Sequence, residues 1–93
     1  MEIIQENDDR RGFFKAVEEG KEAGLMTYTW AGSTKFIIDH TEVNADFKGK
    51  GIGLQLVMKA VEYAREKHLK IMPLCPFAKS VFDKKPEIGD VLF

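Results

Sequence analysis

The sequence predicts an α+β fold whose α/β-type core is a mixed, mainly antiparallel sheet with a strand–helix–strand unit and a second short helix. Three observations carry this. Residues 23–30 alternate plainly, with Met26, Tyr28 and Trp30 on one face and Leu25, Thr27 and Thr29 on the other; period two is the signature of a strand. From Gly51 to about His68 the pattern changes, and Leu54, Val57, Met58, Val61 and Ala64 recur at helical spacing. Between the two regimes lies Phe47-Lys48-Gly49-Lys50-Gly51-Ile52-Gly53, where three glycines alternate with larger residues.

In chain order, residues 2–6 form a short strand that ends at the turn cluster Asn7-Asp8-Asp9. Residues 11–18, with Phe13, Phe14, Ala16 and Val17, read as a second strand by length and aromatic content, with a helix as the alternative. Glu19-Gly20-Lys21 is a hairpin turn into the strand over 23–30, and Ala31-Gly32-Ser33 is the next turn. Lys35 to Val43 is the fourth strand. Four strands joined by short turns pair as an antiparallel meander. After the helix, Lys70 to Leu74 is a short strand, and a helix–strand return of this kind places it parallel to the strand before the helix. A second helix runs from Phe77 to Lys84, with Pro76 at its start and Pro86 beyond its end. Val91-Leu92-Phe93 is expected to add a last strand.

With 93 residues the chain makes one domain, 1–93, with a modest core. A net charge of −1 gives no general electrostatic case for nucleic acid or an anionic membrane. No apolar run approaches the ~20 residues of a membrane span, and the first residues lack the pattern of a signal peptide. Cytoplasmic residence is therefore expected. Cys75 is the single cysteine, which excludes an internal disulfide, and with His40 and His68 alone beside it no structural zinc site is expected.

The glycine stretch predicts an anion site. Glycine lets the backbone take φ > 0 and approach a ligand closely. A helix start adds unpaired N–H groups and a partial positive charge. Two familiar phosphate loops fail here. The Walker A pattern needs G-x-x-x-x-G-K-[ST], but Ile52 and Leu54 follow Gly51 and Gly53. The dinucleotide fingerprint G-x-G-x-x-G needs glycine at position 54, which is Leu54. A third pattern, [Q/R]-x-x-G-x-[G/A] between a strand and a long helix, matches Lys48-Gly49-Lys50-Gly51-Ile52-Gly53, with lysine at its first position.

That third pattern resembles the acetyl-CoA loop of the GNAT N-acetyltransferase superfamily. Val43-Asn44-Ala45-Asp46-Phe47-Lys48 is similar to its V-x-P-x-Y-R run, with Ala45 and Phe47 substituted. Cys75-Pro76-Phe77-Ala78-Lys79-Ser80-Val81-Phe82 resembles its N-x-x-A-x-x-L-Y segment, with Cys75 for the asparagine and Phe82 for the tyrosine. His40-Thr41-Glu42-Val43 and Leu74-Cys75-Pro76-Phe77-Ala78 match the H-T-x-V and L-C-P-F-[A/V] motifs of small single-domain GNAT-like proteins. The likeness covers roughly residues 22–92.

The resemblance implies a GNAT-like sheet in which the strand–helix–strand unit binds acetyl-CoA as co-substrate. It implies that Lys48, Gly49, Lys50, Gly51, Ile52 and Gly53 hold the pyrophosphate. The pantetheine arm would pair with backbone groups near Val43, where the next strand splays away, and Cys75 would lie beside the thioester. Three residues are candidates for chemistry. Cys75 precedes a helix start, where the dipole favours an anion; it is either a transient acetyl acceptor or a contact that shapes the thioester pocket. His40 and Glu42, read as sharing a strand face with Phe36 and Ile38, are candidate general bases for an amine; on a core face His40 would instead be structural. Phe82 has no hydroxyl, so the family's tyrosine acid is missing, and neither Tyr28 nor Tyr63 can be moved into that role from sequence. The expected activity is acetyl transfer to an unidentified amine, a small molecule or a protein; the rival is an acetyl-CoA-binding module with little turnover. The superfamily's helices after its first strand have no counterpart here, which predicts an open acceptor side suited to a flexible or macromolecular amine or to a dimer partner.

Overall fold

The computed structural model describes residues 1–93. Its sheet has five strands in sequence order, β1 (Glu2–Asn7), β2 (Arg11–Glu18), β3 (Lys21–Trp30), β4 (Lys35–Val43) and β5 (Lys70–Pro73). The first four form the expected antiparallel meander, and β5 returns parallel to β4. The β2–β3 turn needs left-handed backbone at Glu19 (φ 51°) and Gly20 (φ 78°), the geometry that matches the twist of a two-residue hairpin.

Helix α1 (Ile52–Lys67) covers one face of the sheet, and α2 (Pro76–Lys84) packs beside it. Phe14, Ala16, Met26, Tyr28, Phe36 and Ile38 project from the sheet into this single core. The buried stripe of α1 is Ile52, Gly53, Leu56, Val57, Ala60, Val61 and Ala64. Leu54, expected among the buried positions, is instead 36% exposed, because it sits one position off that stripe. The opposite face of the sheet carries no helix: Phe13, Lys15, Leu25, Thr27 and Ile37 are only half-buried there, and Met72 is exposed. No polar or charged side chain is fully buried, so any charged chemistry belongs to the surface.

The expected last strand is not formed. Pro86–Val91 is a 3-10 helix, and the tail touches the sheet through one isolated bridge, Ile71 to Leu92. The proline start favours the helical turn, and Arg65 grips Asp90 with two bonds, Nε to Oδ2 at 3.0 Å and Nη2 to Oδ1 at 2.8 Å. That grip holds the Asp90 carboxyl below the usual carboxylate range.

The second correction concerns β4. Thr27 pairs with His40 and Tyr28 with Ile38, so Asp39 is an extra residue, a β-bulge. One extra residue reverses the alternation beyond it. His40 and Glu42 therefore do not share the face of Phe36 and Ile38; they are exposed, while Thr41 and Val43 turn toward the core side.

Candidate functional site

Two features meet at one end of the sheet: a helix start with no cap, and a strand edge with no partner. The loop between them is firmly based. The Asn44 N–H donates to the Ala23 carbonyl at 2.8 Å, its Nδ2 donates to the Glu22 carbonyl, and its Oδ1 accepts from the Asp46 N–H. A 3-10 turn, Ala45–Phe47, follows and buries Phe47.

The loop then needs left-handed backbone at Gly49 (φ 81°) and Gly51 (φ 70°). A Cβ at either would meet nothing within 4 Å, so backbone conformation alone, not space, selects glycine there. Gly53 is glycine for the opposite reason. A Cβ there would lie 2.6 Å from Cζ of Phe77, so its bare backbone leaves that ring room to sit against α1. Gly51 is the N-cap of α1 and makes no side-chain cap bond, and the first turn holds no acidic residue. The first intrahelical bond runs from the Gln55 N–H to the Gly51 carbonyl. The N–H groups of Ile52, Gly53 and Leu54 therefore have no partner within the helix. Lys48 and Lys50 are exposed beside them, with Lys50 Nζ 5.5 Å from the Phe47 ring centroid. Unpaired donors, a helix dipole and two cations are the features that suit this loop to an anion.

The strand edge arises where β4 and β5 part. Their pairing ends at Ile38 and Pro73. The Ile38 carbonyl then accepts from both Leu74 and Cys75 N–H groups at 3.1 Å, and the chain turns into α2. Beyond that point β4 has no neighbour on this side. Asn44 directs its N–H at β3, so by strand alternation Thr41 and Val43 direct theirs into the open gap. An extended chain could pair there as a partial strand.

Cys75 closes the far wall of the gap. It is 5% exposed and is the N-cap of α2. Its sulfur accepts from the Ala78 N–H at 3.3 Å and lies 3.2 Å from the Thr41 hydroxyl. The structure thus joins Thr41, Val43, Cys75 and the glycine loop. Three exposed apolar side chains, Leu54, Leu74 and Phe77, come from the starts of α1 and α2 and the segment between β5 and α2. His40 and Glu42 stand apart from this group on the helix-free face, with Nε2 and Oε2 3.8 Å from each other. Phe82 is buried in the core. Tyr28 supplies no acid: its hydroxyl accepts from Gln5 and Asn7, and burial pushes its pKa up.

Thr41 and Asp39 are the residues that sequence reading missed. Thr41 reaches Cys75 across 34 positions, and no local pattern announces such a contact. Asp39 had one signal, the slip of apolar positions from Phe36 and Ile38 to Val43, which changes parity within the strand.

Comparison with known proteins agrees with the fold. A solution structure of a GCN5-like N-acetyltransferase homologue from Staphylococcus aureus superposes with a TM-score of 0.71 at 30% identity, over 97% of this chain and 87% of that one. An uncharacterized N-acetyltransferase of Methanocaldococcus jannaschii is 33% identical over 72 residues, which is 71% of this chain. The match spans only 32% of the archaeal protein. The fold also matches AAC(6')-Iy, solved with the bisubstrate analog CoA-S-monomethyl-acetylneamine, at a TM-score of 0.60 and 16% identity, over 88% of this chain and 63% of that one. The model of the GCN5-related N-acetyl-transferase family matches residues 12–91, which hold strands β2 to β5 and both helices, and the chain belongs to that family.

Proposed function

We propose that this chain binds acetyl-CoA and transfers its acetyl group to an amine. The observation that carries the reading is the unpaired β4 edge at Thr41 and Val43, ending at an uncapped helix start. The pyrophosphate would rest on Lys48, Gly49, Lys50, Gly51, Ile52 and Gly53. The amides of the pantetheine arm would pair with Thr41 and Val43, and its alkyl part would contact the apolar rim. The contact of Thr41 with Cys75 across the mouth of the gap supports this placement.

In the reaction a neutral amine attacks the thioester carbonyl carbon. The C–N bond forms, the C–S bond breaks, and the proton lost from nitrogen ends on the coenzyme A thiol. Orientation of amine and thioester supplies much of the rate, and a β4 N–H can donate to the developing oxyanion. An amine that arrives protonated must first lose a proton. We assign His40 and Glu42 as candidate bases, because both lie on the helix-free face, where no helix walls off an acceptor. For Cys75 we favour the pocket role over the acetyl-acceptor role, since its sulfur is buried and already engaged. The second reading, a binding module with little turnover, is favoured by Phe82, which leaves the thiolate without the tyrosine acid.

Both readings are separated by release of free thiol from acetyl-CoA in the presence of a panel of amines and lysine peptides. Transfer predicts amine-dependent thiol release; release no faster with any amine supports the module. Intact mass after incubation with acetyl-CoA tests Cys75. The expected result is an unmodified protein and retained turnover in Cys75→Ala. An acetyl adduct that vanishes in that variant would restore the carrier role.

A further inference from the structure

The largest concavity of the molecule, about 760 Å³, is not at the glycine loop. It lies on the helix-free face and crosses all four antiparallel strands. Glu6 lines it from β1, Arg11 and Phe13 from β2, Thr27 and Thr29 from β3, and Asp39 from β4. The strand register explains the grouping: Glu6 is opposite Phe13, Phe13 opposite Thr27, and Arg11 opposite Thr29. The β4 bulge turns Asp39 into the same trough.

The carboxylates do not cluster; they mark its two ends. Glu6, with Asp8 in the turn after β1, closes one end, and Asp39 closes the other. Three strand spacings separate the β1 and β4 backbones, roughly 14 Å. Asp39 is held by the Thr29 hydroxyl, which donates to Oδ2 at 2.6 Å. Asp8 accepts the Arg10 and Arg11 N–H groups on Oδ1, both at 2.8 Å, which keeps it ionised. Phe13 and the threonines form the floor between. The lining holds three carboxylates, Glu6, Asp8 and Asp39, and one guanidinium, Arg11, a formal balance of −2. None of the four side chains takes part in a salt bridge.

We infer that this trough seats the acceptor, and that the acceptor is an elongated aliphatic amine with a second positive charge on the order of 10 Å from the first. The inference rests on the transferase reading for its orientation. Asp39 follows Ile38, the last β4 residue paired with β5, so its end of the trough borders the gap assigned to the thioester. The reacting amine lies at the Asp39 end, and the distal cation meets Glu6 and Asp8. A dication balances the lining charge, whereas a monoamine satisfies only one end.

The test is an amide-shift titration with 1,8-diaminooctane and 1-aminooctane, which share a chain and differ by one cation. The diamine should shift the amides of Glu6, Phe13, Thr27 and Asp39, and bind about fivefold tighter than the monoamine, the scale of an exposed ion pair. Glu6→Gln should reduce that preference without altering acetyl-CoA affinity. Equal binding of the two amines, or shifts confined to other residues, overturns the inference. The readout needs no turnover. Absent acetyl-CoA affinity with the diamine pattern intact would refute the transferase reading and leave the trough as a dication site.

Discussion

Gly51→Asp is expected to weaken acetyl-CoA binding by about 100-fold, ~2.7 kcal/mol, while the protein stays folded. Two effects act together. Gly51 holds φ 70°, ψ 24° at the N-cap of α1, a left-handed conformation that costs a residue with a Cβ roughly 1–2 kcal/mol. Aspartate tolerates that region better than most residues, and no neighbour obstructs its Cβ. The larger effect is electrostatic. A carboxylate at the cap would draw on the same unpaired N–H groups and repel a pyrophosphate from them. Gly51→Ala separates the two, since it keeps the backbone cost and adds no charge. It should lose much less affinity than Gly51→Asp. Isothermal calorimetry of acetyl-CoA against the three proteins checks both; equal affinity for parent and Gly51→Asp would mean that the loop does not bind the ligand.

Phe36→Ala should have the largest effect on stability, a loss of about 3–5 kcal/mol. The ring is fully buried and its centroid lies 4.8 Å from that of Tyr28, 5.7 Å from Trp30 and 6.0 Å from Tyr63. Removal leaves a cavity bounded by three large aromatics, whose rings cannot all collapse into it. A small domain has about 5–15 kcal/mol to lose, so the variant should sit near the edge of folding. Urea unfolding measures the change, and Phe36→Leu should recover more than half of it. A loss below about 1 kcal/mol would contradict the packing described here. Because Phe36 lies in the paired half of β4, its removal should act on the fold as a whole, and a bound ligand should partly offset it by mass action.

Much of this was legible in the chain. The alternation of Met26, Tyr28 and Trp30 and the run of short turns give the meander directly. Gly49 and Gly51 announce their left-handed backbone because no other residue takes it so cheaply. Gly53 looks the same in sequence but answers a different need, contact with Phe77, which only the packed helices reveal. The face of His40 and Glu42 was misread because period-two counting assumes an unbroken ladder, and Asp39 breaks it. The tail differs for another reason: Val91-Leu92-Phe93 has strand character, but Pro86 and the Arg65–Asp90 grip hold the chain through Val91 in a helical turn and leave a single bridge, Ile71 to Leu92. Non-local contacts such as Thr41 with Cys75 come from the parting of two strands, which no single segment encodes.

As proposed, the β4 edge and the glycine loop together form one acetyl-CoA site. Its most direct test is an amide-shift titration of the parent protein with acetyl-CoA. Saturable shifts are expected at Thr41, Val43 and the Lys48–Gly53 amides, with thermal stabilisation that rises with ligand. No shifts at millimolar acetyl-CoA, or shifts that leave this edge and loop untouched, would contradict it.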